Sequence, residues 1–433
     1  MLGYYFNLAL RSFRRNRVLT ALMVLAIALG IGAAMTTLTV YTVLSADPLP
    51  GKSHTLFYPQ VEPRGANIAD REPADQLTRY DAETLLREAR GDRQAMMTGG
   101  SVVIEPGTAG MVPFFADARY TSTDFFPMFD APFRFGGGWD AAGDERRSRV
   151  AVISSELNDK LFGGQDSVGR SLRLNETTFT VVGVLDPWRP VPKFYDMYSN
   201  TYGMVEQVFV PFSTSRDLDL ARSGNMNCYR ARDEGQRDTD LGASCLWIQY
   251  WVQLDTPARV ADYERYLANY SEQQRAAGRF ELPPNVRLRS LMQWLDFNGV
   301  VPGDVRLQVW LAFGFLLVCL LNTVGLLLAK FLRRSGEIGV RRALGASRRE
   351  IFVQYLVEAG TIGLAGGMLG LGLAAVGLWA VRQQAASYAE LAHFNPTMLL
   401  LTFALALAAS LLAGLLPAWR AMQVTPAIQL KSQ

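Results

Sequence analysis

Four stretches of this chain are too long and too apolar to belong to an ordinary water-soluble core: Val18 to Leu44, Val305 to Ala329, Ile351 to Val381 and Thr397 to Leu416. A hydrocarbon core is crossed by roughly 20 residues of helix, a length that all four reach. The chain is 49% hydrophobic but also 19% charged, so its polar residues must be gathered elsewhere, chiefly between the first and second runs. The reading that follows is a membrane α-helical protein of four transmembrane helices plus an extracytoplasmic α+β domain of two lobes.

Charge fixes the orientation. Arg11, Arg14, Arg15 and Arg17 precede the first run, and Lys330, Arg333, Arg334, Arg341, Arg342, Arg348 and Arg349 fill the short link between the second and third. Short basic loops stay in the cytoplasm, so both segments lie inside and Ser45 to Asp304 lies outside. The first run far exceeds the roughly 7 to 15 apolar residues of a secretory signal, so it is a retained anchor. A formal net charge of +3 gives no broad basic face, and no nucleic-acid partner is expected.

The expected organisation is a cytoplasmic interfacial helix at 1–17, membrane helices at 18–44, 305–330, 351–381 and 397–417, the outer domain at 45–304, a cytoplasmic segment at 331–350, a short outer loop at 382–396 and a cytoplasmic tail at 418–433. In the first of these, Leu2, Phe6, Leu10 and Phe13 recur at helical spacing; the alternative is a plain basic tail. Strands are expected at Thr55 to Pro59, Ser101 to Glu105, Val150 to Ile153, Ser171 to Leu174, Phe179 to Leu185, Val208 to Pro211 and Ile248 to Leu254. Helices are expected at Asp81 to Ala89, Ser155 to Phe162 and Pro257 to Ala276, the last with Thr256 as N-cap and Pro257 at the first helical position. The two lobes divide the segment, one using both its ends and the other its middle.

The 331–350 link carries the densest local signals. Ser347 and Glu350 have capping-box spacing just before an apolar run, and Gly345 suits the left-handed residue that closes a helix. A short helix over Glu337 to Leu344 is therefore expected between two spans. Glu337 and Arg341 can pair along it, and Ile338 and Leu344 offer apolar contacts to a cytoplasmic partner. From charge alone an ordinary positive-inside loop is the favoured reading.

Here the residues resemble a known family. Glu337 to Ile351, Glu-Ile-Gly-Val-Arg-Arg-Ala-Leu-Gly-Ala-Ser-Arg-Arg-Glu-Ile, is similar to the signature of MacB/FtsX-type ABC transporter permeases, the type VII or mechanotransmission superfamily. Gly414-Leu-Leu-Pro-Ala-Trp-Arg-Ala followed by Val424-Thr-Pro-Ala-Ile-Gln-Leu resembles its C-terminal motif. Val150-Ala-Val-Ile-Ser, Leu161-Phe-Gly-Gly, Val168-Gly-Arg-Ser-Leu and Phe179-Thr-Val-Val-Gly-Val-Leu resemble its periplasmic core domain. The resemblance implies a multi-pass permease of a bacterial inner membrane, driven by separate ABC ATPase subunits that bind ATP and Mg. It assigns ATPase coupling to Glu337, Ile338, Arg341, Arg342 and Leu344. It also implies a second permease copy or paralogue, and leaves open a periplasmic adaptor and an outer-membrane channel.

G-x-x-x-x-G-K-[ST] does not occur in the sequence, so ATP hydrolysis is expected in a partner and no cofactor is expected on this chain. The outer stretch Ser213 to Leu246 matches no family element. It holds Cys228 and Cys245, expected to form a disulfide in an oxidising compartment, whereas Cys319 within the second span reads as a packing residue. Glu358 lies in the third span, where an ionised side chain must face protein or water; Lys330 and Asn322 are its candidate partners, and proton transfer is the sharper alternative. Gly363 with Gly367 and Gly366 with Gly370 offer close helix contacts. His54 and His393 stand without metal-ligand company, so no metal site is expected, and Asp140, Asp144 and Glu145 read as a solvated charged turn. Without a nucleophile and base to pair, no catalytic residue is assigned. Efflux of a drug, peptide or other amphiphile is the expected activity; lipoprotein release, and a regulatory role that moves no substrate as in FtsX, are the alternatives.

Overall fold

The computed structural model describes residues 2–67, 71–107, 110–198, 201–231, 233–383 and 396–423. His393, most of the 382–396 loop and the motif Val424 to Leu430 lie outside the described residues, as do the side chains of Leu2, Phe6, Leu10, Arg14 and Arg15. The chain forms two compact units, Ala46–Val300 and the combination of Met1–Ser45 with Val301–Gln433.

In the outer unit the strands are β1 (Leu56–Gln60), β2 (Leu77–Thr78), β3 (Arg93–Glu105), β4 (Phe114–Thr121), β5 (Phe133–Gly136), β6 (Val150–Ile153), β7 (Ser171–Leu174), β8 (Thr177–Leu185), β9 (Val208–Pro211), β10 (Arg222–Ser223), β11 (Asn227–Cys228), β12 (Cys245–Gln253) and β13 (Arg287–Ser290). They make one mixed sheet with the order β13-β1-β12-β3-β4-β9-β6-β8-β5. Pairing is parallel at β4–β9 and β6–β8 and antiparallel at the other steps of that order. β1, β12 and β13, from the two ends of the segment, sit at one side and β5, β6 and β8, from its middle, at the other. The expected two lobes are thus the two ends of one continuous sheet, joined through β3 and β4.

β12 explains why the sheet holds. Every residue of Cys-Leu-Trp-Ile-Gln-Tyr-Trp-Val-Gln is buried, so both faces are covered, as a run rich in aromatic and β-branched residues favours. Trp251 meets Tyr58 of β1 edge to face at 5.2 Å, and Tyr58 stacks on Trp294 at 3.8 Å. Trp294 belongs to a helix, Leu291–Phe297, started by a Ser290/Gln293 capping box, so the last helix of the unit is pinned to its first strand. Helices Ser155–Phe162 and Pro257–Ala276 fall where the sequence puts them, the latter capped by Thr256 with proline in its first turn.

The membrane unit contains an N-terminal helix (Leu2–Arg15) and four helices long and apolar enough to span: Arg17–Leu44, Gly303–Leu332, Arg348–Arg382 and Pro396–Met422, called here the first to fourth membrane helices. A short connecting helix, Ser335–Ala343, lies between the second and third. Helix association in lipid lacks a hydrophobic drive and depends on close packing. The third helix provides it on two faces. A Cβ at Gly366 would stand 2.7 Å from Ile27 of the first helix, and one at Gly363 only 2.0 Å from Ser410 of the fourth. Both glycine pairs of the sequence therefore serve contacts within one chain, and Cys319 is buried beside Gly30 as a packing residue.

A connecting helix and its buried polar anchor

The connecting helix has a sharply defined C-terminal end. Gly345 has φ +102°, a conformation that glycine adopts without Cβ strain, and the Ser347/Glu350 capping box restarts the chain as the third membrane helix two residues later. The third helix has 35 residues, about 52 Å by helical rise, against roughly 30 Å of hydrocarbon. Its first turns therefore have length to spare beyond the hydrocarbon, and the connecting helix packs there.

One face of the connecting helix is turned inward. Ile338 is 2% exposed and joins the core of the membrane unit with Phe331, Ile351 and Tyr355. This corrects the expectation that Ile338 faces a partner: it is the residue that seats the helix. The outward face is Glu337, Val340 and Leu344, three and four residues apart, with Leu344 83% and Val340 53% exposed. Val340 was overlooked in the sequence, although its spacing to Leu344 could have found it. Arg341 donates to Gln354 of the third helix at 2.8 Å, and Arg342 donates to the carbonyl of Met422, near the end of the fourth, at 3.5 Å. Both arginines thus tie the helix to its own bundle.

Behind it lies a buried ion pair. Glu358 meets Lys330 at 2.8 Å, with the two side chains 3% and 0% exposed. Ser12 of the N-terminal helix donates to the same carboxylate, Arg334 approaches it at 3.8 Å, and Lys330 reaches Thr20 of the first helix at 3.3 Å. The sequence found Glu358 and Lys330 but neither Ser12 nor Thr20. It was wrong about Asn322, which is exposed on the second helix. Eight residues separate Asn322 from Lys330, about 12 Å along the axis, too far to share one carboxylate.

The outer unit holds its own buried charges. Arg119 on β4 pairs with Asp196 at 2.5 Å and with Glu206, and Lys193 meets Glu206 at 3.0 Å. Tyr195 donates to Glu206 at 2.9 Å. Burial alone would raise the Glu206 carboxyl, but Arg119 and Lys193 outweigh it and hold it below its usual value. Sequence reading missed all four charges.

Cys228 and Cys245 are joined in a disulfide between the paired residues of β11 and β12. It clips the unassigned Ser213 to Leu246 excursion onto the sheet, helped by β10 on β3. Asp144 corrects another expectation. Far from being a solvated charge, it accepts from the Thr123 amide and from Trp139 Nε1, each at 2.8 Å. Burial pushes its carboxyl up to about 6, against those two hydrogen bonds. Gly51-Lys52-Ser53 shares the last letters of a phosphate-binding loop, but it follows a membrane helix, and Lys52 is bound to Asp130 at 2.5 Å. The strand-loop-helix context that such a loop needs is not there.

Four helices long and apolar enough to span, a connecting helix on a buried ion pair and a large mixed domain inserted after the first span define a multi-pass membrane protein. Residues 20–270 match the MacB-like periplasmic core domain and residues 309–426 the FtsX-like permease C-terminal region. The chain belongs to this MacB/FtsX family of ABC transporter permeases, and the fold class and family expected from its motifs hold. It is 25% identical over 436 residues to the macrolide export ATP-binding/permease protein MacB of Azoarcus sp. (strain BH72), covering 98% of this chain and 59% of that protein. It is 24% identical to the pyoverdine export ATP-binding/permease protein PvdT of Pseudomonas aeruginosa, over 96% of this chain and 57% of the relative. The chain therefore spans about three fifths of the length of these relatives. The solved periplasmic region of MacB from Actinobacillus actinomycetemcomitans aligns with 57% of this chain and 94% of its own at 15% identity and a TM-score of 0.36.

Proposed function

We propose that this chain is the permease subunit of an ABC transporter in a bacterial inner membrane. ATP hydrolysis by separate ABC ATPase subunits, which hold the ATP and Mg, drives a conformational change in its outer domain. The observation that carries this reading is the connecting helix: Ile338 and the Arg341 and Arg342 hydrogen bonds lock it to the bundle, while Val340 and Leu344 leave an apolar face uncovered. A rigid, exposed apolar ridge next to a buried ion pair suits the transmission of a push. The cargo is a drug, peptide or other amphiphile, in keeping with the export functions named for the relatives, and two permease copies or paralogues assemble as a dimer.

Replacing Leu344 with Asp tests it. A charge buried in an ATPase contact costs several kcal/mol unless it finds a partner. The variant should insert and fold as the parent does and lose most co-purified ATPase, while Ser432→Asp in the tail retains it. Unchanged ATPase recovery and unchanged transport would remove the coupling role.

A further inference from the structure

A cavity of about 160 Å³ opens between the N-terminal helix, the connecting helix and the third membrane helix. It is large enough to hold several waters, and so a group of the size of one phosphate. Arg11 and Ser12 line it from the first of these helices, Arg334, just before the second, and Arg341 within it, and Gln354 and Tyr355 from the third; Arg341 spends one N–H on Gln354 and Arg334 stands 3.8 Å from Glu358, leaving further guanidinium donors on each. Two carboxylates also border it. Glu358 is already neutralised by Lys330 at 2.8 Å, so three guanidinium groups face one remaining carboxylate, Glu337. Arg11 has no hydrogen-bond or ion-pair partner among the described residues. Leu8 adds a partly exposed apolar edge, backed by Ile351, which is 2% exposed and begins the apolar run of the third helix.

We infer that this cavity takes the phosphodiester headgroup of an anionic phospholipid from the cytoplasmic leaflet. Guanidinium groups match phosphate oxygens with paired N–H donors, and basic pockets between membrane helices on the cytoplasmic side suit such headgroups. The apolar edge at the start of a membrane helix places an acyl chain beside the headgroup, which a soluble anion would not use. The inference rests on the inward orientation given by the basic segments and is independent of the coupling proposal. Its consequence is that lipid occupancy braces the N-terminal helix against the connecting helix, so membrane composition sets how firmly that helix is held.

The test uses the full chain purified in an uncharged detergent. It is titrated with short-chain phosphatidylglycerol, with short-chain phosphatidylcholine and with inorganic phosphate, binding being read by thermophoresis. Phosphatidylglycerol should bind, with Arg11→Gln and Arg341→Gln each weakening it about fivefold. Arg349→Gln, a basic residue of the same link outside the cavity, should leave the affinity unchanged. Arg11 is exposed and its variant should keep the parental melting curve, so it carries the test even if Arg341→Gln fails to fold. Equal affinity for the two lipids, or an equal loss in Arg349→Gln, would overturn the site in favour of a diffuse positive field. Inorganic phosphate binding as tightly as the lipid, with the same dependence on Arg11, would overturn the lipid assignment and leave a free anion in its place.

Discussion

Two buried clusters of charge, one in each unit, solve the same problem with different numbers of parts. In the membrane unit Glu358 and Lys330 neutralise each other at 2.8 Å, with Ser12 and Thr20 completing their hydrogen bonds. In the outer domain Arg119 is shared between Asp196 and Glu206, Glu206 is shared between Arg119 and Lys193, and Tyr195 adds a further donor. The first is one close pair that polar side chains trim, with the partly exposed Arg334 standing off Glu358 at 3.8 Å. The second is a network in which each of the two central groups has two charged partners, so deleting any member leaves others unbalanced.

That difference predicts which cluster can be replaced. Breaking a buried ion pair by removing one partner costs about 3–5 kcal/mol, because the other charge stays behind, whereas swapping both for apolar groups is often neutral. Glu358→Leu should therefore destabilise strongly in a detergent unfolding titration, and Glu358→Leu with Lys330→Met should recover most of the loss. Arg119→Met should cost as much, but adding Glu206→Leu should not restore it, since Asp196 and Lys193 remain buried without their former partners. Recovery of both double variants to the same degree would erase the distinction between pair and network.

The two clusters also differ in how far the sequence reveals them, and for a physical reason. A carboxylate inside an apolar run such as Ile351 to Val381 is conspicuous, because lipid tolerates it only against a partner. Arg119 lies in Phe-Phe-Ala-Asp-Ala-Arg-Tyr-Thr, where two charges interrupt the aromatic and small apolar residues, and β4 is not among the expected strands. Its partners stand 77 and 87 residues away, so no local spacing announces them. Where residues of one face are apolar and β-branched, as in Val150–Ile153 and Val208–Pro211, the strands are legible to the residue. On the connecting helix, periodicity shows that Ile338 and Leu344 are apolar; it cannot say which one faces the bundle and which the outside, because both outcomes bury the same kind of surface. Asn322 is polar and shares a helix with Lys330, but its exposure and the axial distance exclude it, and neither is legible from residue type.

A smaller effect separates the two units by their covalent constraint. Cys228 and Cys245 are 17 residues apart, and closing a loop of that size lowers the entropy of the unfolded chain by an amount worth about 3 kcal/mol in the simple chain model. Cys228→Ser with Cys245→Ser should lower the stability of the outer domain by up to that amount and leave the unfolding of the membrane helices unchanged. Hydrogen exchange should speed up first in β10 and β11, which hold the Ser213 to Leu246 excursion to the sheet. Faster exchange throughout the membrane helices would show that the two units do not unfold independently.

The smallest expected effect concerns pH and again contrasts a lone buried acid with a networked one. Asp144 has no cationic partner among the described residues; burial raises its carboxyl to about 6, the Thr123 amide and Trp139 Nε1 oppose that shift, and Asp124 and Asp140 reinforce it. A group whose folded value lies above the unfolded 3.8 holds its proton more tightly in the folded state, so its contribution is complete below about pH 4 and is lost as pH rises through about 6. Glu206, held below its usual value by Arg119 and Lys193, has the opposite sign and loses its contribution as pH falls. The total slope mixes the two, so the measurement is a difference. Asp144→Asn keeps one oxygen acceptor and removes the titration; relative to the parent it should gain about 1–2 kcal/mol in the outer domain between pH 4 and pH 7, a figure reduced from the full shift for partial solvent access. Chemical unfolding followed by tryptophan fluorescence reports the global difference, and hydrogen exchange at the Thr123 amide reports the local one. A difference between variant and parent that stays constant across that range would mean the Asp144 carboxyl titrates as it does in the unfolded chain, leaving the networked acid as the pH-sensitive member of the comparison.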